Sequence, residues 1–202
     1  MEKKRVFLAL PVEPVGPVVE RMKELQNLLQ GHYHIKWVRS ENLHLTLYFF
    51  GEVEVYQIPN LIEFIRLSVQ STPPFSFSLL GPGIFKKGIE PRVLWLGIKA
   101  TDSLFELKKA LDQSMLALDF HSGEKIFRPH LTLGRFLPKQ GISPVLDGAV
   151  KEIQHSVAIE YTLSKLILFE SRLFPEGPIY YPIEVFPLGA STEKWNEHSW
   201  PV

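Results

Sequence analysis

The spacing of apolar and polar residues in the first half of the chain predicts short strands separated by two amphipathic helices. Apolar side chains recur at helical spacing at Val18, Met22, Leu25 and Leu29, and Gly31 follows as a stop. Elsewhere apolar and polar side chains alternate, as they do in strands. The predicted elements are a strand at 6–10, a helix at 14–29, strands at 35–38 and 43–50, a helix at 58–69 and a strand at 75–80.

The second half repeats this order. A strand at 92–98 precedes a helix that Ser103 and Glu106 can open as a capping box. Further predictions are strands at 125–127 and 130–136, a helix at 144–153, a strand-rich stretch at 157–169, a turn at 173–178 and a last strand at 179–186. The tetrapeptide His-Leu-Thr-Leu starts at His44 and again at His130, and 130 − 44 = 86. One offset relates strands and helices alike, which predicts two copies of a β-α-β-β-α-β unit at 5–80 and 91–166.

Short strands joined mainly by turns favour antiparallel sheets, so we expect an α+β fold. The duplication predicts two pseudo-symmetric lobes, each an antiparallel sheet with helices packed on its outer face, around a central cleft. Residues 1–188 are expected to form this single bilobal domain and residues 189–202 a polar C-terminal tail. The glycine-rich stretch from Gly81 to Gly88 is predicted to cross between the halves. Its Lys86 and Lys87 either contact phosphate or belong to a solvated turn.

Composition narrows the possible classes of function. The 22 Lys and Arg residues balance the 22 Asp and Glu residues, so net charge predicts no broad adhesion to nucleic acid or membrane. No stretch approaches the roughly 20 apolar residues of a membrane span. The absence of cysteine excludes disulfides and thiolate metal sites and fits a reducing compartment. We therefore expect a cytoplasmic protein, and because nothing implies a protein partner we expect a monomer.

The repeated tetrapeptide places a histidine beside a threonine in each strand. Side chains two positions apart in a strand share a face at a distance of about 7 Å, so His44 lies with Thr46 and His130 with Thr132 while the leucines pack behind. Tyr48 is in phase with His44, and it either stacks on a base or rims the cleft. The other histidines have no motif around them; they are His32, His34, His121, His155 and His198.

Three roles for the paired histidines are open from the residues alone: packing kept after a duplication, metal binding and proton transfer. Leucine would pack the same face better than histidine does. Two histidines fall short of the three protein ligands of a typical catalytic zinc, so no metal is expected. Proton transfer fits best, because imidazoles with an ordinary pKa of about 6.5 can act as one acid and one base at neutral pH. Such a pair suits in-line displacement at phosphorus, with the two threonine hydroxyls donating to the non-bridging oxygens.

Longer stretches around the motifs carry a family resemblance. They are Arg5-Val-Phe-Leu-Ala-Leu-Pro, Trp37-Val-Arg-Ser-Glu-Asn-Leu-His-Leu-Thr-Leu, Pro91-Arg-Val-Leu-Trp-Leu-Gly, Arg128-Pro-His-Leu-Thr-Leu-Gly-Arg and Leu168-Phe-Glu-Ser-Arg-Leu. Over residues 5–186 the chain resembles the two-histidine phosphoesterase superfamily. Within it the chain is similar to bacterial and archaeal RNA 2′,3′-cyclic phosphodiesterases, once described as 2′-5′ RNA ligases. The resemblance implies a bilobal fold with a water-filled cleft, and hydrolysis of RNA 2′,3′-cyclic phosphate ends to 2′-phosphomonoesters without metal or cofactor.

The resemblance also implies residue roles. By match to the first motif His44 is the proton donor, and by match to the second His130 is the proton acceptor that activates water. Thr46 and Thr132 carry over as phosphate ligands. The expected partners are RNA 3′ ends or small 2′,3′-cyclic nucleotides. Two other functions stay open: a nucleotide-binding module of the same fold, and reversible 2′-5′ RNA ligation, in which a ribose hydroxyl replaces water as the nucleophile.

Arg135 corresponds to an arginine that follows the family's second motif, and its guanidinium can pair with phosphate. Strict alternation from His130, however, puts Arg135 on the leucine face. We therefore expect Arg135 to reach the cleft only if the strand carries a bulge at Gly134.

Overall fold

The computed structural model describes residues 2–13, 16–120, 126–154, 158–175 and 177–189. Over these residues the α+β class expected from the sequence is confirmed. The strands are β1 (Lys3–Pro11), β2 (Ile35–Trp37), β3 (His44–Glu54), β4 (Phe75–Lys87), β5 (Glu90–Lys99), β6 (His130–Phe136), β7 (Ile159–Leu163), β8 (Lys165–Phe174) and β9 (Gly177–Pro187). The helices are α1 (Gly16–Leu29), α2 (Ile58–Val69), α3 (Asp102–Ala117) and α4 (Pro144–Gln154).

The strands form two antiparallel sheets. The first sheet has the order β3-β1-β8-β9, and the second has the order β2-β6-β5-β4-β7. The sheets do not coincide with the two halves of the sequence, since β2 and β4 of the first half join the second sheet while β8 and β9 of the second half join the first. Each sheet therefore depends on strands from both halves.

One of the strand pairs that join the two halves is β4 with β7. Ser76 lies opposite Thr162 in this pair, and their hydroxyl oxygens are 3.0 Å apart. These two residues are 86 positions apart, which is also the offset between the two motifs. Around them α2 packs on α3 and α1 packs on α4. Each helix thus contacts a helix of the other half.

The main core lies behind the motif strands. Leu45 and Leu47 of β3, and Leu131 and Leu133 of β6, are almost completely buried there with the apolar faces of the four helices. The opposite face of the first sheet carries a separate small cluster, formed by Phe7, Ala9, Ile167 and Phe169. Helices therefore cover one face of the first sheet, while the other face carries this small cluster and borders the cleft.

Several predicted boundaries are wrong. The strand predicted at 43–50 is longer, because Gly51 takes φ +73° within it and the strand continues to Glu54. The stretch expected to cross between the halves is the second part of β4, which forms a hairpin with β5. Residues 126–127 are not in a strand, and residue 125 lies outside the described residues. No helix in the described ranges is long and apolar enough to cross a membrane.

Candidate active site

His44 and His130 have the same backbone anchor. The Nδ1 atom of each ring lies 2.7 Å from a carbonyl oxygen two residues earlier, that of Asn42 for His44 and that of Arg128 for His130. A carbonyl oxygen only accepts hydrogen bonds, so Nδ1 must carry the hydrogen in both rings. Each neutral imidazole therefore keeps its lone pair on Nε2, which is the atom left free for proton transfer.

The surroundings of the two rings differ. The His44 ring packs against Phe7 and Tyr180, with ring centroids 5.0 and 5.4 Å away. The His130 ring meets the edge of Phe85 at 4.8 Å and lies 6.4 Å from Trp95. Aromatic rings thus fix the tilt of both imidazoles.

Burial lowers the pKa of His44 below its usual 6.5, although the hydrogen bond to the Asn42 carbonyl opposes this effect. The positive charges of His130 and Arg135 lower the pKa of His44 further. These two residues belong to the second sheet and His44 to the first. Their charges act on His44 because the face of each sheet that carries a motif histidine borders the same cleft.

Thr46 and Thr132 lie on the cleft faces of their strands. Each is partly buried, two residues after its histidine. Neither hydroxyl makes a hydrogen bond to another residue in the described part of the chain. Both hydroxyls are therefore available to a ligand in the cleft.

The placement of Tyr48 beside His44 on the cleft face is wrong. The pairs Ala9↔Thr46 and Leu8↔Tyr48 leave Leu47 as an extra residue in β3, which is a β-bulge. The bulge reverses the alternation, so Tyr48 points into the core with only 4% of its surface exposed, and its hydroxyl donates to the carbonyl oxygen of Phe120 at 2.9 Å. Tyr48 therefore neither rims the cleft nor stacks on a ligand.

A matching bulge brings Arg135 to the cleft face. The pairs Trp95↔Thr132 and Leu94↔Gly134 leave Leu133 as the extra residue of β6. Gly134 then faces the core, and Arg135 is exposed on the face of His130. The bulge lies at Leu133, one residue before the position Gly134 at which it was predicted, and it has the predicted effect on Arg135.

Three further residues line this cleft without having been singled out in the sequence. Phe49 follows the bulge in β3, is 48% exposed and lies under the guanidinium of Arg5, whose Cζ is 4.9 Å from the ring centroid. Tyr180 reaches the cleft from β9, more than 130 positions after His44. The offset of 86 that relates Phe49 to Arg135 could have indicated the first, but no local pattern indicates the tyrosine.

The sequence also raised candidates outside the two motifs. Lys86 and Lys87 are exposed at the end of β4, and the idea that they contact phosphate stays a prediction. His32 and His34 lie between α1 and β2 and are exposed. His121, His155 and His198 lie outside the described residues. No group of three or more His, Asp or Glu side chains among the described residues is arranged to hold a metal ion.

This α+β fold, with one His-x-Thr unit on the cleft face of each sheet, is that of the two-histidine phosphoesterases. The family model for the 2′-5′ RNA ligase superfamily matches residues 10–172, and the chain belongs to this superfamily.

Known relatives match most of the chain. A Thermotoga maritima protein named RNA 2′,3′-cyclic phosphodiesterase is 34% identical over 179 residues, covering 87% of this chain and 91% of the relative. A protein of the same name from Methanothermobacter thermautotrophicus is 32% identical over 187 residues, covering 92% of this chain and 100% of the relative. The crystal structure of TT0787 from Thermus thermophilus superposes with a TM-score of 0.71 at 25% identity, covering 93% of this chain and 100% of that one.

Proposed function

We propose that this protein hydrolyses the 2′,3′-cyclic phosphate at RNA 3′ ends, or in small cyclic nucleotides, to a 2′-phosphomonoester. The observation that carries the proposal is the pair of histidines, His44 and His130, whose rings are anchored alike through Nδ1 and whose charges interact across one cleft. The names of the relatives support the choice of substrate.

In the proposed reaction His130 Nε2 takes a proton from water as the water oxygen attacks phosphorus. The bond between phosphorus and the 3′ oxygen breaks, and His44 gives its proton to that oxygen. Water is consumed, the net number of protons is unchanged, and the phosphate stays on the 2′ oxygen. Thr46, Thr132 and Arg135 would hold the non-bridging oxygens, where negative charge develops.

The lowered pKa of His44 fits the role of acid once substrate is bound. In the free protein the buried ring and the neighbouring positive charges favour its neutral form. A phosphodiester carries a negative charge and would lie between the two histidines, so it stabilises the imidazolium. Bound substrate therefore lets His44 carry the proton, while the burial that lowers its pKa favours release of that proton to the leaving oxygen.

Turnover of an oligonucleotide with a 2′,3′-cyclic phosphate end, measured in excess chelator, tests the proposal. We expect hydrolysis at the same rate with and without chelator, with the 2′-phosphomonoester as the product. Activity that requires added zinc would contradict the metal-free mechanism. Saturable nucleotide binding without any turnover would favour the binding module, and joining of a 5′-hydroxyl RNA would reveal ligation. A cytoplasmic location and a monomeric state belong to the same proposal. Cell fractionation tests the location, and size-exclusion chromatography tests the oligomeric state.

A further inference from the structure

Tyr180 differs from the other tyrosines in combining a partly buried position with a hydroxyl that lacks a hydrogen-bond partner among the described residues. Two of the six tyrosines have large exposed fractions, 65% for Tyr56 and 39% for Tyr181. Three others donate their hydroxyl hydrogens to backbone carbonyl oxygens 2.8 or 2.9 Å away; they are Tyr33, Tyr48 and Tyr161. Tyr180 is partly buried, and its hydroxyl makes no hydrogen bond to any residue that the structure describes. A partly desolvated hydroxyl without a protein partner is suited to a ligand.

The ring of Tyr180 is fixed on the cleft face of the first sheet. It meets the edge of Phe7 at 4.9 Å and the His44 ring at 5.4 Å, and its residue pairs with Ser171 of β8. Because aromatic neighbours hold it on two sides, the ring cannot turn away from the cleft without losing these contacts. Its hydroxyl is thus carried by a rigid support beside the proposed acid.

The charges around this hydroxyl are positive. Burial raises the pKa of Tyr180 above its usual 10.0, while Arg135 from the second sheet and Arg5 from the first both act in the opposite direction. The hydroxyl therefore keeps its proton at neutral pH, and the positive charges of Arg135 and Arg5 act on it. A protonated donor in a positive field favours an anionic ligand.

We propose that the Tyr180 hydroxyl donates a hydrogen bond to the phosphate group of the bound substrate and product, on the side of the cleft that holds His44. This proposal rests on the proposed function only in taking the ligand to be a phosphate ester. Tyr180 is thereby a substrate-binding residue, alongside the two motif threonines and Arg135.

Tyr180→Phe removes the hydroxyl and keeps the ring that packs on His44. Calorimetric titration with adenosine 2′-phosphate, and separately with inorganic phosphate, measures the effect. A hydrogen bond to a charged group contributes about 1.5–3 kcal/mol, so we expect affinity for both probes to fall by about 10- to 100-fold. The matched control is Tyr181→Phe, because Tyr181 lies next in sequence on the other face of β9 with the Arg172 guanidinium 4.6 Å from its ring. This control should bind both probes as the parent protein does.

Three outcomes would overturn the proposal. Unchanged affinity of Tyr180→Phe for both probes would show that the hydroxyl contacts no ligand. Lost affinity for adenosine 2′-phosphate alone would move the contact from the phosphate to the nucleoside. A shift in the NMR titration of His44 in the unliganded Tyr180→Phe protein would show that the substitution acts through the histidine.

Binding measurements distinguish a failure of this proposal from a failure of the proposed function. A parent protein that binds both probes but hydrolyses no cyclic phosphate would contradict the hydrolase. Loss of that binding in Tyr180→Phe would even then support the phosphate contact. A parent protein that binds neither probe would overturn both.

Discussion

Gly134→Ala tests whether the bulge in β6 is what delivers Arg135 to the cleft. A Cβ atom at position 134 would lie 2.6 Å from Cγ2 of Ile35, and 3.4 Å from both the Lys36 carbonyl oxygen and the Trp37 ring. Carbon atoms in contact normally stay about 3.5–4.0 Å apart, so the first contact is too short by roughly 1 Å. Either the three-residue strand β2 moves outward or β6 shifts at its bulge.

The expected cost follows from the kind of contact. Overpacking of this size costs about 1–3 kcal/mol. For a chain of this length that corresponds to a drop in Tm of about 3–10 °C. Movement of β6 would also displace Arg135, so we expect kcat/KM for a cyclic phosphate to fall by about 10- to 100-fold, the range for a lost hydrogen bond to a charged group.

Calorimetric melting and initial-rate kinetics check these expectations. The control is Gly148→Ala in α4, where a Cβ meets nothing within 4 Å and alanine favours the helix. Combining Gly134→Ala with Ile35→Ala removes the crowded methyl group, so the double variant should be destabilised by less than the sum of the two single changes. Strict additivity, or a Gly134→Ala protein as stable as the control, would refute this account of the bulge.

Three further predictions follow from the same structure. His44→Ala and His130→Ala should each lower kcat by about 10²- to 10⁴-fold, and a nitrophenyl phosphodiester, whose leaving group needs no acid, should rescue mainly the first; equal rescue would contradict the assigned roles. The NMR titration of His44 should move upward when adenosine 2′-phosphate binds, because the phosphate charge opposes the burial that lowers its pKa; a downward shift would place the phosphate elsewhere. Hydrogen bonding to Arg172 lowers the pKa of Glu170 below its usual 4.5, so the stability this group provides is present above that value and disappears as pH falls through the folded-state pKa. Glu170→Gln should therefore cost about 1–2 kcal/mol at pH 7 and little in acid, and a cost independent of pH would contradict the ion pair.

Sequence periodicity predicted the motif strands correctly through the second leucine of each tetrapeptide and failed at the next residue. The pattern His-Leu-Thr-Leu alternates, and the structure buries both leucines of each copy. Beyond it, Leu47 and Tyr48 point to the same side because a bulge adds one residue to β3 without adding one to β1. A bulge depends on how the partner strand is paired, so the sequence of one strand cannot specify it. For the same reason the sequence could predict that Arg135 reaches the cleft only on the condition that β6 contains a bulge.

The second part of β4 was missed because its sequence is typical of turns. Gly81, Pro82 and Gly83 form such a signal, yet they lie in a strand beside β5. The register is irregular between Leu79 and Pro82, which accommodates the missing N–H of proline. A Cβ at position 83 would meet the Trp95 ring at 2.3 Å, so this glycine provides space for a side chain that is close to His130 only in the folded protein.

The chemical asymmetry of the cleft arises where the two copies of the motif differ, just beyond their matching bulges. The offset that joins His44 to His130 joins Phe49 of the first sheet to Arg135 of the second. At this one position the first sheet therefore carries an aromatic ring and the second sheet a guanidinium, although aromatic rings pack on both histidines and Arg5 lies over Phe49. Burial favours the neutral form of His44, and the phosphate contact proposed for Arg135 would bring an anion near this histidine. In the proposed mechanism identical tetrapeptides serve as an acid and a base, because the residues that separate their roles lie outside the tetrapeptide.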